Sequence, residues 1–198
     1  MKHAFSSFLT SAASPEQFPP SGPPEVAFLG RSNVGKSSLI NALLAKKIAH
    51  VSSSPGRTRT INFIAVREKP ETLAPYLLLA DLPGYGYAKI SREISAEWPK
   101  FIEPYLAERE TLRLCVCLID ANVPAQKSDG QLIEWLQAHG RDLLLVATKA
   151  DRLSANQLNK ALAVIKREHQ VERILPCSVK TKMGIAELWR KIWNAASR

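Results

Sequence analysis

Cysteine is scarce, acid is outnumbered by base, and no long apolar run occurs in this chain of 198 residues. The three cysteines, Cys115, Cys117 and Cys177, are odd in number and lack the spacing of zinc ligands. A disulfide scaffold does not fit, and a reduced, cytosolic protein is the simple expectation. No stretch reaches the about 18 apolar residues of a spanning helix, which excludes membrane insertion. The start, MKHAFSSFLTSAAS, imitates an export signal, but serines interrupt an apolar core that is too short for one. There is no internal repeat and no low-complexity tract. His3, His50, His139 and His169 are scattered and pair with neither cysteine nor one another, so structural or exposed positions are expected. Trp98, Trp135, Trp189 and Trp193 fall on helical patterns and read as core rather than as platforms for stacking RNA bases.

What is present is an ordinary globular composition, 45% hydrophobic and 23% charged, in a chain ample for one core. The charge is skewed: 27 basic against 18 acidic residues give a net +9. Residues 149–198 hold eleven basic and four acidic side chains, and Lys46, Lys47, Arg57 and Arg59 lie in a stretch, 46–60, without acid. Such clustering favours a polyanionic partner, RNA or an anionic membrane surface. A solvated basic surface with no partner is equally compatible with charge alone.

Pro15, Pro19, Pro20, Pro23 and Pro24 remove too many amides for a helix or central strand, so 15–24 reads as a linker. The spacing predicts a short helix around Phe5–Ala13, an N-terminal extension over 1–23 and a globular domain over 24–198. Apolar strands are expected near 25–29, 61–67, 76–81, 112–119, 142–147 and 173–176. Helices are expected near 36–45, 97–109, 128–139, 154–168 and 183–197. Ile185, Leu188, Trp189, Ile192 and Ala196 give the last of these one buried stripe. Doubly apolar strands alternating with helices indicate an α/β fold: a mainly parallel six-stranded sheet with helices on both faces. The direct passage from 61 to 81 predicts a hairpin and one antiparallel edge strand.

Gly30-Arg31-Ser32-Asn33-Val34-Gly35-Lys36-Ser37 has the GxxxxGK[ST] spacing between the strand EVAFL and the helical SLINALL. Its amides can converge on phosphate oxygens at a helix N-terminus, with Lys36 on the β- and γ-phosphates and Ser37 on Mg²⁺. A nucleoside triphosphate is therefore expected. Thr148-Lys149-Ala150-Asp151 ends the strand DLLLVA, and a carboxylate there accepts from guanine N1–H and the 2-amino group, which adenine lacks. Ser178-Val179-Lys180 follows a short strand and offers backbone amides to guanine O6. Asp81-Leu82-Pro83-Gly84 ends YLLLA, with Asp81 facing the Mg²⁺ hydration shell and the Gly84 amide facing the γ-phosphate. Between these motifs, SSSPGRTRTINF reads as a basic loop tied down by triphosphate and released on hydrolysis. Thr58 is its leading candidate for a second Mg²⁺ ligand and Thr60 the runner-up.

GRSNVGKSS, PGRT, DLPGYGYA, TKAD and SVK, in this order and spacing, resemble the EngB (YihA/YsxC) family of bacterial GTPases. That family lies within the TrmE–Era–EngA group of translation-factor-like GTPases. The resemblance covers about residues 24–196, and PGRT and DLPGYGYA are its most specific parts. It implies a P-loop GTPase domain, Mg²⁺ dependence, a cytoplasmic role in maturation of the large ribosomal subunit, with rRNA and ribosomal proteins as partners, and a requirement in cell division and septation. It places Gly30–Ser37, Pro55-Gly56-Arg57-Thr58-Arg59, Asp81–Gly84, Thr148–Asp151 and Ser178–Lys180 on GTP or GDP. Lys36, Thr58 and Gly84 stand at the reaction, Ser37 and Thr58 face the metal, and Asp81 reaches it through water. Thr148 replaces the more general asparagine, as is usual in this family, and Val179 replaces a common alanine.

Where Ras-type enzymes place a water-orienting glutamine, this chain has Tyr85. Unassisted hydrolysis is therefore expected to be slow, no faster than about 10⁻⁴ s⁻¹. Asn33 matches the phosphate-loop asparagine that K⁺-using relatives employ, so K⁺ is a candidate activator; a hydrogen bond within the loop is its other reading. Monomer is the default oligomeric state. A competing function is a nucleotide-controlled binding protein of the division machinery without ribosome contact. A small-substrate kinase lacks a lid-like arginine-rich segment here and leaves TKAD unexplained.

Overall fold

The structure, a computed structural model, describes residues 5–49, 60–72, 74–85, 102–124 and 126–198. Strands β1 (Phe5–Ala12), β2 (Glu25–Gly30), β3 (Ile61–Arg67), β4 (Leu77–Asp81), β5 (Leu112–Asp120), β6 (Leu143–Thr148) and β7 (Ile174–Pro176) form one sheet in the order β1-β3-β4-β2-β5-β6-β7. Every residue of β2 is buried, as a central strand covered on both faces requires. It pairs in parallel with β4 and with β5, while β3 pairs antiparallel with β4 in the expected hairpin. Helices are α1 (Lys36–Leu44), α2 (described over 102–108), α3 (Lys127–Ala138), α4 (Ala155–Glu168) and α5 (Ile185–Ala196).

Two cores flank the sheet. On one side Leu39, Ile40 and Leu44 of α1 and Leu188 and Ile192 of α5 pack on Val26, Phe28, Val116 and Val146. On the other, Tyr105 of α2, Ile133 of α3 and Ile165 of α4 pack on Ala27, Leu29, Cys115 and Cys117. The two strand cysteines are buried and free, as is Cys177. His169 is buried, whereas His139 is exposed and stacks on Trp135. Trp193, expected in the core, is 42% exposed and meets Tyr76 edge to face. Trp98, His3 and His50 lie outside the described residues. Among the described residues no helix is long and apolar enough to cross a membrane.

The sequence expectation fails at the N-terminus. Phe5–Ala12 is strand β1, not a helix, and it pairs antiparallel with β3, so the sheet has seven strands instead of six. A register shift between Phe8 and Thr10 inserts an extra residue, which breaks the period-two alternation by which a strand is read. Ser11 Oγ donates to Asn62 Oδ1 (2.6 Å) and Arg67 donates to Ser7 Oγ (2.8 Å), so the serines bond across the pair. The proline segment is a short 3-10 turn, Pro15–Gln17, followed by Phe18, which sits edge to face with Phe63 and Tyr105.

Candidate nucleotide-binding site

The four described motifs gather at the carboxyl ends of β2, β4, β6 and β7, where open α/β sheets bind ligands. The phosphate loop leaves β2 at Gly30, turns through left-handed conformations at Asn33 (φ 65°) and Gly35 (φ 101°), and enters α1 at Lys36. No side chain caps α1. Its first amides and the positive end of its dipole are thus left for an anion. Lys36 is nine-tenths buried and its ammonium pairs with Asp81 at the end of β4. Ser37 Oγ stands 3.3 Å from the other carboxylate oxygen of Asp81. A hydroxyl and a carboxylate side by side are hard oxygen donors of the kind Mg²⁺ takes alongside phosphate, so these residues fit that ion.

Beyond Asp81 the chain runs along the loop. Leu82 donates its amide to Phe28 O (3.2 Å), and Ser32 N donates to Tyr85 O (3.1 Å). A Cβ on Gly84 would lie 3.0 Å from both Ser32 N and Ser32 Oγ, closer than side chains ordinarily sit, so glycine eases this approach of Gly84 to the loop. Tyr85, in the glutamine position, turns its hydroxyl to Asp129 Oδ1 of α3 (2.9 Å). Burial pushes the tyrosine hydroxyl well above its usual range, and the adjacent Asp129 carboxylate adds to this.

The loop after β6 is tied to the phosphate loop by two side chains. Thr148 Oγ1 donates to Val34 O (2.7 Å) and also lies 3.2 Å from Ile119 O, so a hydroxyl makes the inter-loop tie in the asparagine position. Lys149, itself left-handed at φ 56°, donates to Asn33 O (2.7 Å) and to Asp120 Oδ2 (2.7 Å). Ala150 N donates to Cys177 O (3.1 Å), joining this loop to the end of β7. Asp151 accepts from Ser178 Oγ (2.6 Å), and that hydrogen bond draws its carboxyl below the usual range, helped by Lys180 and Arg152. Ser178 is buried and also accepts from Thr181 N, while Val179 is exposed.

Asp120, which no sequence motif marks, is the carboxylate that holds Lys149. Burial raises its pKa, but the hydrogen bonds from Lys149 and Asn122 outweigh that and hold it below the usual range. The signal was there, an acid ending the apolar run LCVCLID, but nothing local said which lysine it would meet. Pro55, Gly56, Arg57, Thr58 and Arg59 lie outside the described residues. Thr60 is described and its Oγ1 donates to Asn62 Oδ1 (3.2 Å).

Residues 25–149 match the family model of the 50S ribosome-binding GTPases. The chain is 60% identical over 190 residues to the probable GTP-binding protein EngB of Acidobacterium capsulatum, covering 96% of this chain and 90% of that one. The chain belongs to the EngB family. Its relative in Koribacter versatilis, also a probable GTP-binding protein EngB, is 56% identical over 96% of this chain and 93% of its own. The fold of this EngB protein is that of a crystallised probable GTP-binding protein EngB, with a TM-score of 0.70 at 20% identity over 87% of this chain and 98% of that one. Era in complex with MgGDPNP and a 16S rRNA fragment superposes with a TM-score of 0.69 at 24% identity, covering 87% of this chain and 56% of that one. As an EngB-family P-loop protein it binds GTP and hydrolyses it.

Proposed function

We propose that this EngB protein is a slow, Mg²⁺-dependent GTP switch acting in large ribosomal subunit assembly in the cytoplasm, with normal division and septation depending on it. The observation that carries the switch reading is the contact of Gly84 with Ser32, which sets the residue after Pro83 against the phosphate loop. On this reading Gly30–Ser37 cradle the phosphates, Thr148–Asp151 and Ser178–Lys180 read guanine, and Pro55–Arg59 supply the remaining contacts. Lys36 would reach phosphate by exchanging Asp81 for it, leaving that carboxylate to help hold the metal through water. Ser37 and Thr58 would hold Mg²⁺, and the ion would supply charge neutralisation at the phosphates. The carboxylate of Asp151 accepts from both guanine donors, with Ser178 fixing its direction.

Hydrolysis is slow because Tyr85 carries no amide and bonds Asp129 instead of facing water. Asn33 supports a K⁺ site: its carbonyl is engaged by Lys149, while no described residue bonds its side-chain amide. Rates of GTP hydrolysis in K⁺ should exceed those in Na⁺, and equal rates would overturn this point. Support for the ribosomal role comes from the family model and from the basic skew of residues 149–198, which suits rRNA.

Sedimentation with ribosomal subunits, in GDP and in a non-hydrolysable GTP analogue, tests the role. Co-migration of the monomer with the large subunit in the analogue alone, weakening steeply with salt, is expected. Absence of co-migration in both states would favour the division-protein reading.

A further inference from the structure

We propose that Tyr85 and Asp129 are positioning residues that clamp Gly84 against the phosphate loop, and so set the preference for GTP over GDP. Residue 85 is held by its amide, its carbonyl and its hydroxyl. Its amide donates to Gly30 O (3.4 Å) and its carbonyl accepts from Ser32 N (3.1 Å), extending the parallel pairing beyond the end of β4 as an isolated bridge between Arg31 and Tyr85. Its hydroxyl donates to Asp129 Oδ1 (2.9 Å), 44 residues away in the first turn of α3. Gly84 precedes this fixed residue and lies beside Ser32, where an added Cβ would come within 3.0 Å of it.

Asp129 is 2% exposed, an expensive place for a carboxyl group. Burial raises its pKa, and the Tyr85 hydrogen bond, Arg31 and His169 act against that. His169, buried beside Gly130, has no hydrogen bond on either ring nitrogen among the described residues, so Tyr85 is the described side chain that bonds Asp129. An apolar residue would fill this part of α3 with less cost. The acid gains a reason from what it holds: the residue next to the one that meets the γ-phosphate. With the clamp closed, the Gly84 amide is ordered before the triphosphate arrives, and the ordering entropy is not charged against binding.

The inference rests on the reading of Gly84 as the γ-phosphate contact, and the test separates the two. Affinities for GDP and for a non-hydrolysable GTP analogue are measured on the full chain by fluorescence titration. Y85F and D129A should each weaken the analogue about tenfold, the scale of one hydrogen bond to a charged group, with GDP changed less than about twofold. The double variant should lose no more than either alone, and D129N, which keeps an acceptor oxygen, should stay within about threefold of the parent. Equal losses for both nucleotides, or no loss, would overturn the clamp. G84A reports on the premise: if it weakens the analogue selectively while Y85F does not, the γ-phosphate contact stands and the clamp falls. If G84A does not discriminate between the nucleotides, the premise itself fails, and the clamp with it.

Discussion

On the proposed reading, the chemistry of one side chain, Asp151, decides which base fits. A carboxylate fixed by a 2.6 Å bond from a buried serine hydroxyl is a pre-oriented acceptor for two donors. Replacing Asp151 with alanine should weaken GDP and GTP by roughly 10²-fold or more while leaving the phosphate loop intact. Ser178→Ala removes only the orienting bond and should cost roughly tenfold. Titration with a fluorescent guanine nucleotide checks both, and an equal effect of the two substitutions would contradict the division of labour. These motif residues were legible in the sequence because each motif is a local run following an apolar strand. Asp120 and Asp129 were not, because their partners Lys149 and Tyr85 lie 29 and 44 residues away. Only the sheet order brings them together.

Among the elements, the joint between β7 and α5 is tightly constrained. Gly184 precedes α5 with φ 72°, and a Cβ there would lie 2.2 Å from Pro176 O and 2.7 Å from Cys177 Sγ. Gly184→Ala therefore meets both a disfavoured backbone conformation and a backbone oxygen that cannot step aside. A loss of about 3 kcal/mol or more is expected in urea unfolding. Because the same joint carries Ser178–Lys180, guanine affinity should fall with it. The described strands and helices of 25–198 followed their hydrophobic periods closely, residues 97–101 of the expected 97–109 helix lying outside the described residues. Strand β1 escaped since its serines and its bulge dilute the alternation, and because an edge strand is defined by the neighbour it pairs with.

Across the whole molecule, the end of the sheet opposite the motifs is closed by a buried charge. Glu25 is fully buried and accepts from Tyr105 (2.8 Å), Arg109 Nε (2.8 Å) and Thr111 (2.8 Å). Arg109 also donates to Pro19 O (2.6 Å), so this ion pair staples the proline segment, β2 and the end of α2. Glu25→Ala leaves the guanidinium poorly paired and should destabilise by about 3–5 kcal/mol in chemical denaturation. Titration of the core acts in the alkaline direction. Burial pushes the Cys115 and Cys177 thiols from 9.0 up to about 12, and raises Cys117 and Tyr105 as well. Their neutral forms are favoured by folding, so between pH 9 and 12 the unfolded chain releases protons that the native chain retains. The urea midpoint should thus hold steady to about pH 9 and fall steadily above it, and a thiol reagent at pH 8 should label the cysteines only after unfolding.

What the sequence determined by itself was whatever depends on residues close in the chain: the phosphate loop, the Thr148–Asp151 run after β6, the Asp81–Gly84 turn, and the alternation of apolar strands with helices. Those features are set by backbone conformation and short periodicity, which neighbours in sequence control. The tertiary structure decided the rest. It added β1 outside β3, met Glu25 with Arg109, gave Lys149 both Asn33 and Asp120, and turned Tyr85 from the glutamine position onto Asp129. Each of these joins polar groups distant in sequence. A buried polar group finds its partner only once packing has excluded water and fixed which elements are neighbours.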